Sequence, residues 1–322
     1  MKLSRGAAGF VLAVAALLPA SAGAQPAPVP PGSLSIPIPA DGQPQMPVRI
    51  KDRTIPVRIA LGFDKALLLN LGPAQQAGLK PFPLLGKRQF KNSMIPGGQA
   101  MFRFNLFRVT PQGFERTLVP TVWVDKPIAT DADGIMSVMV LDAERITFTQ
   151  GPIAPGSTTF ALPRKGSGSA MVNAKIGKET IRIGLELRSP ESIMNRRAAE
   201  ALQSAGLVRR TGKVGLWQPF PDVALPFERL SPRAGATLLG LPIRNAAVRI
   251  TEEQAKRLDS QAKAGTSTAE DDEDAITVTA SRDGDRGRSP WMLIGRDVLS
   301  KCSRIVLDRP GKQWLLTCNF AE

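Results

Sequence analysis

The sequence has no histidine and no tyrosine, and only two cysteines in 322 residues. The lack of histidine excludes Ser-His and Cys-His catalysis, in which an imidazole takes the proton of the nucleophile. It also removes the nitrogen donor of nearly all zinc sites, and two cysteines are too few for a thiolate-rich metal centre. No metal and no cofactor are expected. Aromatic residues make up 5% of the chain. The basic residues are scattered rather than clustered in a stripe, so nucleic acid is not the expected partner. Beyond the N-terminus, no apolar run approaches the roughly 20 residues needed to span a bilayer.

What is present begins with a secretory signal. Lys2 and Arg5 form a basic start, Ala7 to Leu18 is apolar, and Ala22-Gly23-Ala24 is a small-residue cleavage site. The apolar stretch is too short to span. The expectation is a signal peptide over 1–24, cleaved after Ala24, and a periplasmic or secreted protein with no integral membrane segment after cleavage. Net charge is +14; Lys2 and Arg5 supply two of these charges, leaving +12. An anionic envelope surface or an acidic polypeptide is the fitting counter-charge.

Residues 25–47 are rich in Pro and Ala and predict an extended spacer. From 48 to 150 the pattern is β-like. Met101 to Val109 alternates cleanly, and Leu118 to Val124 returns after the turn Thr110-Pro-Gln-Gly113. Arg145 to Phe148 predicts a further strand. Residues 151–169 hold Gly-Pro, Pro-Gly-Ser and Gly-Ser-Gly-Ser and predict a linker. A second unit covers 170–322. Within it, Asn195 to Gly206 predicts a helix with Asn195 as N-cap and Gly206 just past the end. Strands are expected near Val223–Leu225, Thr237–Leu239 and Ala247–Ile250. A polar stretch near 259–289 carries the acidic run Glu270–Asp274 and reads as a solvated insertion.

The two cysteines flank a predicted hairpin, with Asp308-Arg-Pro-Gly-Lys312 as its turn. Cys302 and Cys318 are equidistant from Pro310, so a turn centred there makes them cross-strand neighbours. In an exported protein they are expected to form a disulfide.

One element is written twice. Arg58 to Gly72 and Asn173 to Ser189 each read as strand, Gly turn, apolar strand and short polar motif. Each is followed by a segment ending in Ala-Gly-Leu, Ala77–Leu79 and Ala205–Leu207. Each unit also closes alike, since Trp291 to Leu299 matches Asp133 to Leu141 with Gly295 laid on Ser137.

This ordered set resembles the pepsin-like and retropepsin-like aspartic proteases, in the two-lobed form of exported bacterial proteins. The family closes a lobe with Ile-Leu-Gly-x-Asp-x-Leu running into a strand with Asp. Leu293-Ile-Gly-Arg-Asp-Val-Leu299 and Ile305-Val-Leu-Asp308 match it. The resemblance implies an all-β protein with few short helices, a bilobal acid-protease (pepsin-like) fold built from two retropepsin-like repeats. It also implies an interlobe groove, lined by Leu71, Gly72, Leu187, Arg188 and Ser189.

The family's Asp-Thr-Gly motifs correspond, in this resemblance, to Asn70-Leu71-Gly72 and Glu186-Leu187-Arg188. The chemistry needs two carboxylates sharing a proton. Asn70 cannot ionise, and Glu186 carries one methylene too many. Leu71 and Leu187 can only pack, and Arg188 is expected to pair with Glu186. The expected function is a catalytically inactive relative that binds an extended peptide or protein segment, possibly acidic, in the groove. One alternative is an active peptidase pairing Glu186 with Asp131, Asp133, Asp297 or Asp64. Another is a structural envelope protein without a groove ligand.

Overall fold

The computed structural model describes residues 32–40, 42–91, 98–164, 166, 168–263 and 289–321. The expected signal peptide and the acidic run Glu270–Asp274 lie outside the described residues.

The described residues are mostly β-structure, with four α-helices among them. Its first half holds β1 (Ser33–Pro37), β2 (Gln45–Ile50), β3 (Arg53–Ala60), β4 (Leu67–Asn70) and α1 (Leu71–Gln76). It continues with β5 (Lys87–Lys91), β6 (Gln99–Pro111), β7 (Thr117–Val124), β8 (Gly134–Ser137) and β9 (Arg145–Thr149). The order β2-β3-β8-β4-β7-β6 closes on itself because β2 also pairs with β6, giving a six-stranded barrel with β5 added beyond β6. Period-two alternation on β2 turns Met46, Val48 and Ile50 inward. The short strands β4 and β8 each pair with a parallel neighbour, and their near-continuous apolar runs suit burial on both faces.

The second half holds β10 (Thr158–Pro163), β11 (Val172–Ile176), β12 (Glu179–Leu185), β13 (Ser192–Met194), α2 (Arg196–Ser204), β14 (Val208–Phe220) and β15 (Val223–Pro232). There follow β16 (Thr237–Leu238), β17 (Leu241–Pro242), β18 (Ala246–Arg249), α3 (Glu252–Lys263), β19 (Trp291–Ile294), α4 (Arg296–Leu299), β20 (Cys302–Asp308) and β21 (Gln313–Cys318). Its main sheet has the order β11-β12-β19-β13-β18-β15-β14. Strand for strand, with the same parallel and antiparallel ladders, this repeats β2-β3-β8-β4-β7-β6-β5. Among the described residues no ladder joins β11 to β15, so this copy stays open.

Local signals set the helix ends. Asn195 caps α2 by accepting from the Ala198 amide at 3.1 Å, and Gly206 closes it with φ +68°. Ser137 and Gly295 both precede a short helical turn, Val138–Val140 and α4, as the sequence match requires.

A five-stranded sheet, β1-β9-β20-β21-β10, ties the halves together. Two of its strands correct the sequence reading. Ser33–Pro37, within the expected spacer, pairs in parallel with β9, and Gln45–Pro47 already belongs to β2. Thr158–Pro163, within the expected linker, pairs with β21. In both cases partner strands supply the backbone bonds and Ile36 and Leu162 are buried, which composition alone could not reveal. The polar stretch also starts later than expected, because Asp259–Lys263 ends α3.

The hairpin β20–β21 carries the disulfide Cys302–Cys318. Its register is one residue off the expected one over most of its length, with Ile305 facing Leu316 rather than Leu315. A bulge between Cys302 and Arg304 restores the cross-strand pairing of the two cysteines.

Candidate functional site

Besides the shared sheet, the halves touch backbone to backbone at Gly62 and Gly184. Gly62 follows β3, and Gly184 lies near the end of β12. A Cβ on Gly62 would stand 2.7 Å from the Leu185 carbonyl oxygen, and one on Gly184 would stand 2.8 Å from the Gly62 oxygen. Only glycine permits this backbone-to-backbone contact.

The ladders fix which residues are equivalent at this contact. Ile59 faces Met136 on β8, and Leu185 faces Ile294 on β19. Met136 and Ile294 each directly precede a helix-capping residue, so Ile59 matches Leu185. The next residues are Ala60 and Glu186. Ala60, and not Asn70, therefore stands at the Glu186 position, and Leu61 stands at that of Leu187. Both leucines are buried. Leu71 and Gly72 instead open α1. Asn70 matches Asn195, since each ends the apolar strand before a helix. The sequence motifs were offset because both copies contain a short polar tail, and only cross-strand register separates a strand end from the loop before it.

Asn70 works as a staple. Its Oδ1 accepts from the Ile128 amide at 2.8 Å, and its Nδ2 donates to the Ala129 and Ala132 carbonyls at 2.8 and 3.1 Å. Asn195 does likewise, accepting from the Trp291 amide at 3.1 Å and donating to the Ser289 carbonyl at 3.2 Å. Each needs an amide, with a donor and an acceptor on one planar group.

Glu186 and Arg188 pair. Arg188 donates from Nε to Oε1 at 2.9 Å and from Nη2 to Oε2 at 2.7 Å, and its backbone amide also donates to Oε1. Both carboxylate oxygens are thus engaged in a bidentate fork. Burial opposes the Arg188 charge, but the charge and hydrogen bonds of Glu186 outweigh it and hold the guanidinium above its ordinary value. Arg188 also lies over the Phe220 ring and donates to the Pro219 carbonyl at 3.4 Å. Ser189 is buried, its hydroxyl donating to the Glu191 carbonyl.

Above this pair lies an apolar cavity of about 260 Å³. Leu68, Phe90, Phe102 and Ile128 come from the first half, and Pro219, Phe220, Val223 and Leu225 from the end of the β14–β15 hairpin. Lys126 and Arg249 are its charged members. None of Leu71, Gly72, Leu187, Arg188 and Ser189 lines it; Arg188 supports it from beneath through Pro219 and Phe220. Asn70 shapes it indirectly by fixing Ile128. The sequence reading missed Phe220 and Phe102. The alternation of β6 was visible, but the facing hairpin was not. A second, wider cavity of about 420 Å³ lies at Gly62, Asp64, Arg182 and Trp291.

Of the other carboxylates of interest, Asp64, Asp131 and Asp297 have separate side-chain partners. Asp64 accepts from Ser169 Oγ at 2.8 Å, and Asp131 pairs with Arg58. Asp133 lies where its backbone joins Asn70 and Pro56. Asp297 accepts from Ser192 Oγ at 2.9 and 3.1 Å, and burial pushes it up to about 6 against these hydrogen bonds.

Compared with known proteins, the chain matches no family model, and no curated protein matches it.

Proposed function

We propose that this protein is a binding module of acid-protease-like, bilobal design, in which the interlobe groove receives an apolar, extended peptide or protein segment. The carrying observation is the apolar cavity between β5–β6 and the β14–β15 hairpin, set over a carboxylate neutralised by Arg188. At about 260 Å³ it falls below the roughly 300–1,000 Å³ of drug-sized pockets, and suits one or two side chains of a longer segment. Edge strands beside such a cavity offer backbone groups for strand addition.

The repeated strand order supports the acid-protease likeness, and Ala60 at the position equivalent to Glu186 supports inactivity. An acid–base pair needs two carboxylates in reach of one water, and Glu186 is committed to Arg188. Export to a periplasm or the exterior fits this reading.

The experiment has two arms. A library of apolar extended peptides is titrated against the protein and its Phe220→Asp variant by fluorescence anisotropy. Binding is expected to weaken at least about tenfold in the variant, the loss expected when a buried aromatic contact is replaced by a charge. In parallel, unfolded casein is incubated with the protein from acid to neutral pH. Pepstatin-sensitive cleavage abolished by Glu186→Ala would overturn the inactive reading.

A further inference from the structure

The first half carries a stretch of unbalanced positive charge and exposed apolar surface. From Lys65 to Phe114 there is no Asp or Glu, while Lys65, Lys80, Lys87, Arg88, Lys91, Arg103 and Arg108 are all cationic. The same segment supplies six of the ten exposed large apolar side chains among the described residues. Its densest part is the loop Lys80-Pro-Phe-Pro-Leu-Leu-Gly-Lys-Arg88. Leu84 is 101% exposed and Leu85 66%.

The loop is built rather than slack. The Phe82 amide donates to the Phe104 carbonyl at 3.1 Å, and the Phe104 amide donates to the Gly86 carbonyl at 2.8 Å. The Gly86 amide closes the turn on the Phe82 carbonyl at 3.0 Å. A Cβ on Gly86 would stand 2.2 Å from the Phe82 nitrogen, so a glycine is required there. The Phe82 ring meets the Phe104 ring edge-on at 5.6 Å. At the apex Leu84 has φ +61°, a conformation that costs a non-glycine residue energy. In the free molecule this strained leucine gains no burial in return.

We propose that this loop is a peripheral anchor for an anionic phospholipid surface. Leu84 and Leu85 enter the headgroup–acyl boundary, and Lys80, Lys87 and Arg88 meet the lipid phosphates. Charge selects this partner. All three cations are exposed, and the surrounding stretch of sequence has no acid to neutralise them. Lys87 and Arg103 stand directly opposite on β5 and β6, a like-charge pairing that an anion relieves. Two leucines alone bind a bilayer weakly, and a basic cluster alone is salt-labile; together they give stable attachment.

The test is co-sedimentation of the full chain with vesicles of phosphatidylglycerol and phosphatidylcholine in equal amounts, against phosphatidylcholine alone. Binding is expected only with the anionic vesicles. A Leu84→Ser/Leu85→Ser variant should lose about tenfold or more in partition coefficient with an unchanged melting temperature, because both side chains are exposed. Lys87→Glu/Arg88→Glu should abolish binding. Absence of binding by the native chain, or equal binding by the leucine variant, overturns the proposal. So does a concentration-dependent dimer that the leucine variant cannot form, since that outcome assigns the face to a second copy of the chain.

Discussion

Asn70 shows how one atom type decides a role. Its Nδ2 donates to two carbonyls, so Asn70→Asp would set a carboxylate oxygen against the Ala129 and Ala132 oxygens. A loss of about 2–4 kcal/mol is expected, measured by urea denaturation, from two broken hydrogen bonds and an uncompensated charge. Asp297 gives a pH signature. Its folded value, about 6, lies above the ordinary 3.8, so the folded state holds the proton more tightly. Stability should therefore fall as pH rises from about 4 to 6, by on the order of 2–3 kcal/mol. Asp297→Asn should flatten that slope and raise the melting temperature at neutral pH. An unchanged slope in the variant would assign the titration to another group. At this scale the sequence exposed the Glu186–Arg188 pair, because residues two apart on a tight loop meet through local geometry. It hid the partners of Asn70, which are 59 and 62 residues away.

Elements followed local rules wherever those rules suffice. The alternation of Met101–Val109 became β6, and Asn195 capped α2 as its side chain dictates. The cysteine hairpin formed with its disulfide, although a bulge was needed to bring the cysteines opposite. Reduction should cost roughly 3 kcal/mol, the chain-entropy value for a loop of this size. Thermal melts with and without reductant measure it; an equal Cys302→Ala/Cys318→Ala melt would confirm that the loss is the crosslink. What failed locally were β1 and β10, read as spacer and linker. Each is a short run of Leu, Ile, Thr or Phe set among Pro- and Gly-rich neighbours, and pairing with β9 and β21 makes it a strand.

The whole molecule rests on the contact of its two halves. Gly62→Ala should place a methyl against the Leu185 carbonyl and lose about 1–3 kcal/mol, the usual range for overpacking. If the groove depends on that contact, peptide affinity should drop with it, which anisotropy on the same variant would register. The apolar cavity is likewise shared between the halves, with Phe220 of one and Leu68 of the other in its lining. A repeat visible in sequence thus became a site only once both copies were folded.

By itself the sequence determined the β-rich character, the capped helix, the disulfide pair and the doubling of a strand–turn–strand element. Each depends on side-chain period, cap chemistry or short-range spacing, all encoded within a few residues. The tertiary structure alone decided that Ala60 stands at the Glu186 position, that Asn70 braces a loop, and that an apolar cavity lies beside the Glu186–Arg188 pair. Those facts depend on ladder register between strands far apart in the chain. A shift of one residue there exchanges a loop position for a strand end, and no local signal marks it.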